Sequence, residues 1–254
     1  MVKAIILKKQ DRGEADELVV FFTRELGWLR GIAKNSKKSR VRFGGHLEPF
    51  SLVDLVIRTR KTDDLVWIDE ATVVRGFLLL RQDLIKVAIA AYFLELASLF
   101  LPENQPDEKL FDNLLLILGN LEQHTPNPVR NILDEIRLLA ILGYEPRFDI
   151  CPVCNRDIAS GQEARFSLLH GGTVHPECLP AEHNDLVLSA DTIALVRRGL
   201  ELEPAVATRL KLSTRGLSEM RQALSEFVRF HTGKNLNSLV FLEQTKIWPG
   251  KRKD

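Results

Sequence analysis

The sequence predicts an α+β chain of two parts, a small β-barrel followed by an α-helical bundle that carries a short insertion of a different kind. Three observations lead there. Strand-like segments punctuated by glycine turns fill the stretch up to Val74, and long apolar helix-like segments dominate the remainder. All three cysteines of the 254-residue chain fall between Cys151 and Cys178.

The strands come first. Ala4–Lys8, Glu17–Thr23, Trp28–Lys34, Phe50–Thr59 and Leu65–Val74 are rich in Val, Ile, Leu, Phe and Trp, and several alternate with period two. Asp11-Arg12-Gly13, Glu25-Leu26-Gly27, Gly44-Gly45 and Lys61-Thr62-Asp63-Asp64 supply the turns between them. Five short strands with such turns suggest a closed barrel of the OB-fold type, a common nucleic-acid binder. We read residues 1–79 as this OB-fold domain and residues 80–254 as the helical domain, with 148–183 as the insertion.

After Gly76 the pattern turns helical. Asp83–Leu101 and Asp107–Gln123 are long and apolar, and Pro102 closes the first. Asn127-Pro128 reads as a cap followed by proline at the first helical position, opening Val129–Leu142 with Gly143 just past its end. Ser189 and Ser213 are capping candidates for Ala190–Gly199 and Thr214–Thr232, and Gly233 ends the latter.

Composition narrows the class of protein. Apolar residues at 45% and charged residues at 27% are ordinary for a globular chain and exclude wholesale disorder. Three cysteines cannot staple a secreted domain, and an odd count fits a reducing compartment. The start, Met1 to Lys9, lacks a signal-peptide core and cleavage site. Leu84–Leu101 is interrupted by Lys86 and Glu95, so it reads as a buried helix and not as a membrane span. The expectation is a cytoplasmic protein.

Charge is unevenly spread. The net formal charge is +1, yet residues 1–61 carry +7 and the rest −6. Between Arg24 and Arg42, the seven cations Arg24, Arg30, Lys34, Lys37, Lys38, Arg40 and Arg42 face the single acid Glu25. Such a cluster is the footprint of a polyanion partner. Phe21, Phe22, Trp28, Phe43, Phe50 and Trp67 are candidates for stacking on bases, and Phe43, between Arg42 and Gly44, is the foremost.

The cysteine window is the sharpest signal. Cys151-Pro152-Val153-Cys154 is followed, after 20 residues, by His175-Pro176-Glu177-Cys178. Thiolates and an imidazole at two-residue spacing form knuckles that hold one tetrahedral zinc, and Arg165–Leu169 with Gly171–Val174 read as the hairpin between them. His175-Pro176-Glu177 also echoes the H-x-E of zinc deaminases, but the motif order is reversed and four ligands leave no open position for chemistry. A structural zinc, one per chain, is the expectation. The phosphate loop, dinucleotide fingerprint, nucleophile elbow and H-E-x-x-H helix are missing from the sequence, so nothing in it asks for an enzyme.

These pieces, in this order, resemble a known family. Gly13-Glu14-Ala15-Asp16-Glu17, Phe22-Thr23-Arg24-Glu25-Leu26-Gly27, Ala33-Lys34, Lys38-Ser39-Arg40 and Leu47-Glu48-Pro49-Phe50 carry the resemblance. So do Arg137 to Tyr144 and the position of the cysteine window. Together they resemble the bacterial recombination mediators of the RecO family over nearly the whole chain. The resemblance implies an OB-fold, a helical bundle and an inserted zinc-ribbon-like module. It further implies binding of single- and double-stranded DNA, annealing of complementary strands, and recombinase loading at the nucleoid. The implied partners are a RecR-like mediator and the C-terminal tail of single-strand-binding protein. Zinc-bearing members of that family have four cysteines where this chain has His175, so His170 and His183 are competing fourth ligands.

Two further readings complete the set. Arg130 and Arg137 lie seven apart on one helix face and are candidates for binding an acidic partner tail. The competing functional class is a zinc-stabilised protein-interaction module whose basic stretch binds DNA only incidentally.

Overall fold

The computed structural model describes residues 1–59, 65–159, 161–179 and 186–244. The chain divides into two compact units, Met1–His124 and Thr125–Asp254.

In the first unit β1 (Val2–Arg12), β2 (Asp16–Thr23), β3 (Gly27–Ala33), β4 (Leu52–Arg58) and β5 (Val66–Arg75) close a barrel in the order β1-β2-β3-β5-β4. Neighbours are antiparallel except β3 and β5, which pair in parallel. This is the OB-fold. Closure depends on β1, whose Val2–Ile5 segment pairs with β4 while Ala4–Arg12 pairs with β2. An irregularity between Ile6 and Lys8 bends the strand between its two partners. Inward residues such as Ile6, Val19, Phe21, Leu55 and Ile68 form the core, which Phe43 and Leu47 of the β3–β4 connection complete. Gly27 sits at φ +76°, and a Cβ there would fall 2.2 Å from the Gln105 carbonyl oxygen, so no other residue fits.

Helices α1 (Leu78–Arg81), α2 (Leu84–Phe100) and α3 (Glu108–Gln123) belong to the same unit. Asp83 caps α2 by accepting from Ile85 N and Lys86 N, and Asp107 caps α3 through Leu110 N. α2 is buried over much of its surface, from Ala88 to Ala97. Lys86, one of the two charges that interrupt its apolar run, donates to the Glu122 carbonyl in the last turn of α3, a favourable place for a cation. No helix among the described residues is long and apolar enough to cross a membrane.

The second unit holds α4 (Pro128–Ile141), β6 (Ala164–Ser167), β7 (Gly172–Val174), β8 (Leu186–Leu188), α5 (Ala190–Glu201), α6 (Pro204–Ala207), α7 (Thr214–Thr232) and α8 (Asn237–Gln244). Asn127 accepts from Arg130 N with Pro128 in the first turn, as its sequence suggests. Gly143, at φ +85°, ends this helix in a Schellman motif. Gly143 N donates to Ala140 O, and Tyr144 N to Leu139 O. Ser213 caps α7 through Gly216 N, and Gly233 closes it in the left-handed region. Ser189 does not cap α5 with its side chain. The Glu219 carboxylate of α7 instead ties down the start of α5, accepting from Ser189 N, Ser189 Oγ and Thr192 Oγ1 at 3.0, 2.8 and 2.7 Å.

Candidate metal centre and nucleic-acid interface

The insertion in the second unit is a three-stranded sheet in the order β7-β6-β8, with one short turn before β6 and a second between β7 and β8. Arg147 is sewn to it, donating from N to Gly171 O and accepting at O from Thr173 N. Each turn presents two ligand side chains. In the first, Asn155 N donates to Cys151 O at 2.8 Å and Asn155 itself adopts φ +55°. In the second, Cys178 N donates to His175 O at 2.9 Å across a 3₁₀ turn, Pro176–Cys178.

These turns bring Cys151, Cys154, His175 and Cys178 together, with their ligand atoms all within 4.8 Å of one another. A tetrahedral zinc with bonds of roughly 2.3 Å to sulfur has ligand–ligand edges of about 3.8 Å, so the group matches such a shell. His175 Nδ1 faces Cys154 Sγ at 3.4 Å, while Nε2 lies 3.0 Å from the Asp157 carbonyl. That carbonyl fixes the imidazole with Nδ1 towards the thiols, the usual outer support of a metal-bound histidine. His170 is engaged elsewhere, with Nδ1 at 3.0 Å from Ser167 Oγ. His183 lies outside the described residues. Arg156 Nε donates to Cys154 Sγ, and that hydrogen bond draws the Cys154 thiol down to about 6. Cys178 is pushed up to about 11 by burial and by the adjacent Cys154 and Cys151. Three thiolates this close repel one another unless a cation neutralises them, so the donor set is suited to a thiophilic divalent metal. Arg156 and Asp157 escaped the sequence reading, although both lie within three residues of Cys154.

The basic stretch in the first unit divides into two sets. Arg24 pairs with Asp112 at 3.0 Å and Glu108 at 3.5 Å, Arg30 with Glu103 at 3.3 Å, and Lys37 with Asp11 at 2.9 Å. These three already have carboxylate partners. Lys34, Lys38 and Arg40 are exposed and have no carboxylate partner among the described residues. Arg42 donates to Ser39 Oγ and the Lys34 carbonyl, which orders its guanidinium, and its charge adds to that of Arg58 in holding the Asp69 carboxyl below its ordinary range. The segment is anchored to the β1–β2 turn by Asn35 N donating to Asp16 Oδ1 and Lys37 N to Ala15 O. It therefore presents three cations without a carboxylate partner among the described residues, Lys34, Lys38 and Arg40, on an ordered loop.

Two expectations need correction. Phe43 is 2% exposed and completes the barrel core, so its ring is not available to bases. Arg42 and Gly44 flank it in sequence, but Phe43 N donates to Ser39 O in a turn that carries the ring inward. Phe21, Phe22 and Trp28 are likewise buried, whereas Phe50 and Trp67 are partly exposed. Arg130 and Arg137 do share a helix face, but that face is not a free basic surface. Arg130 pairs with Asp134 at 3.1 Å and donates to Pro204 O, while Arg137 donates to Gly199 O and Leu202 O. They bind carbonyls at the end of α5 and the start of α6, which is packing within the bundle. The second basic cluster, Lys251-Arg252-Lys253, lies outside the described residues.

Comparison with known proteins places the chain in a family. Residues 1–77 match the family model described as Recombination protein O N terminal, and residues 81–239 match Recombination protein O C terminal. A protein of Anaeromyxobacter dehalogenans named DNA repair protein RecO is 36% identical over 240 residues, covering 94% of each chain. Its namesake in Myxococcus xanthus is 34% identical, over 96% of this chain and 97% of the relative. That of Syntrophus aciditrophicus is 31% identical, over 95% and 94%. With an OB-fold barrel, a helical second half and matches running through both, the chain belongs to the Recombination protein O family.

Proposed function

We propose that this protein is a DNA repair and recombination mediator that binds single- and double-stranded DNA and anneals complementary strands without covalent chemistry. The observation that carries the reading is the ordered loop bearing Lys34, Lys38 and Arg40, whose charges have no carboxylate partner among the described residues. Cations of this kind neutralise phosphates and release counterions, a contact that carries no sequence information. Strands held by phosphates alone keep their base edges free, so two bound strands can pair. The names of the relatives, DNA repair protein RecO, support the same role.

In this reading the Cys151, Cys154, His175 and Cys178 group holds a structural zinc that fixes the insertion. With four ligands the metal has no open position and performs no chemistry. The protein works with a RecR-like mediator and with the C-terminal tail of single-strand-binding protein to load recombinase onto coated strands. Since Arg130 and Arg137 are engaged within the bundle, the acidic tail is received elsewhere.

The test is salt-dependent binding of the full chain to single-stranded and duplex oligonucleotides of unrelated sequence. The reading expects binding to both, nearly independent of sequence, with log affinity falling linearly in log salt concentration. Binding that is absent at low salt, or unaffected by salt, overturns it and leaves the protein-interaction module in its place.

A further inference from the structure

The three thiol ligands of the metal centre differ in access. Cys151 is buried, whereas Cys154 and Cys178, one on each knuckle, are partly exposed. A thiolate is a nucleophile, so an exposed ligand sulfur is open to electrophiles that a buried one does not meet. The side chain of Arg156 lies at this opening.

Backbone bonds put it there. Cys151 N donates to Arg156 O at 2.9 Å and Ile158 N to Asp149 O at 2.9 Å, so the chain folds back on itself around an Ile150–Asp157 bridge. Arg197 of α5 donates to Ile158 O at 2.9 Å and ties this hairpin to the bundle. From that base the Arg156 guanidinium spans both knuckles. Its Nε donates to Cys154 Sγ at 3.4 Å, and its Nη2 donates to Glu177 Oε1 at 3.3 Å. The Arg156 and Glu177 side chains are 65% and 62% exposed, so their ion pair adds little stability. It orients the cation instead. Three thiolates and a neutral imidazole around a divalent metal leave a single negative charge, and Arg156 sets its positive charge against the exposed edge of that group.

We propose that Arg156, oriented by Glu177, guards the metal centre: it engages the sulfur of Cys154, a solvent-accessible ligand, and slows that sulfur's reaction with electrophiles. The inference rests on the structural-zinc reading above and adds to it which ligand is restrained and by what. A metal-bound sulfur has already lost its proton, so a hydrogen-bond donor cannot activate it by ionisation. The donor can only stabilise the thiolate, and a stabilised thiolate is the poorer nucleophile. Protection matters here because agents that alkylate DNA are electrophiles that also attack thiolates, and alkylation would turn a charged ligand into a neutral thioether.

Limited alkylation of the zinc-loaded full chain with iodoacetamide tests this. The sulfur forms a bond to carbon as the C–I bond breaks, and iodide leaves with the electron pair. Peptide mass spectrometry gives the ratio of label on Cys154 to label on Cys178, which serves as an internal reference. Arg156→Met keeps the stem and the backbone bonds but has no donor. Because the guanidinium is exposed, its loss should raise that ratio about two- to fivefold. Arg156→Lys, which keeps a cationic donor, should lie closer to wild type than to Arg156→Met. Release of zinc to EDTA without iodoacetamide should stay unchanged. An unchanged label ratio in Arg156→Met overturns the proposal, as does a lysine variant that reacts like the methionine one. Equal acceleration at both cysteines, or faster release to EDTA alone, also overturns it, because a loosened knuckle predicts those results. Elemental analysis of the starting protein separates the two readings. Wild type without zinc removes the metal assignment and the proposal with it, whereas zinc-loaded protein with an unchanged ratio removes only the guard.

Discussion

Arg221 of α7 reaches Glu135 of α4 at 2.8 Å, and the two side chains are 7% and 0% exposed. Both belong to the second unit, where this pair joins two of its longest helices. An ion pair so deeply buried costs much of its attraction in desolvation, so intact it adds little net stability. Its importance shows when it is broken. Arg221→Met should destabilise the second unit by about 3–5 kcal/mol, because Glu135 is left buried without its cation. The double variant Glu135→Leu/Arg221→Met should recover most of the loss. Urea unfolding of the single and double variants checks this; an additive loss in the double variant contradicts it.

The metal centre gives the second prediction. A preparation purified without chelator should carry about one zinc per chain by elemental analysis. His175→Ala and Cys154→Ser should lose it, and His170→Ala should keep it, since His170 bonds Ser167 instead. Structural zinc contributes on the order of 10 kcal/mol in isolated fingers, so metal loss should unfold the insertion while α2 and the barrel persist. Acid should release the metal as the ligands take up protons. Three freely titratable thiols in a zinc-free native protein would contradict the assignment.

The division of the basic stretch gives the third. Replacing Lys34, Lys38 and Arg40 by alanine should lower the salt slope by about 0.7 per lost contact on single strands and about 0.9 on duplex. Replacing Arg24 and Arg30 should change the slope far less, because their charges already face Asp112, Glu108 and Glu103. The sequence alone treats all these cations alike, so this contrast tests what the structure adds. Equal effects of the two sets would contradict it.

Glu219 gives a prediction in pH. Burial alone would raise its carboxyl, but hydrogen bonds from Ser189, Thr192 and Arg215 outweigh it and hold the group below its ordinary value of 4.5. The unfolded chain therefore binds this proton more readily, and the stability Glu219 contributes is complete above 4.5 and is lost as pH falls through the lower folded value. Glu219→Gln should be less stable than wild type at neutral pH, with the gap closing on acidification. Asp134 shifts upward through burial, against Arg130 and Arg137, and is present in both proteins, so the difference isolates Glu219. Thermal unfolding across pH measures it.

The sequence disclosed the elements with strong local signatures. Alternation and glycine turns located all five barrel strands, and Asn127-Pro128, Ser213, Gly143 and Gly233 marked helix ends that the structure keeps. Short elements escaped: α1 and α6 have four residues and β8 three, too few to show a period. The metal ligands were legible because their spacing is local. The choice of His175 over His170 depends on the Asp157 carbonyl and was not. Phe43 and the Arg130–Arg137 pair were misread for one reason. Their surroundings come from afar in sequence, the barrel core for Phe43 and the carbonyls of Gly199, Leu202 and Pro204 for the arginines.

The central claim is that this chain brings complementary strands together through exchangeable phosphate contacts, and a fluorescence annealing assay tests it most directly. Two labelled complementary strands, bare or coated with single-strand-binding protein, are mixed with the full chain in the absence of any nucleotide. The account predicts annealing faster than that of protein-free strands, slowed by the Lys34→Ala/Lys38→Ala/Arg40→Ala variant. On coated strands it predicts impairment when the coat protein lacks its acidic C-terminal tail. Annealing that requires ATP, or that never exceeds the protein-free rate at any protein concentration, contradicts it.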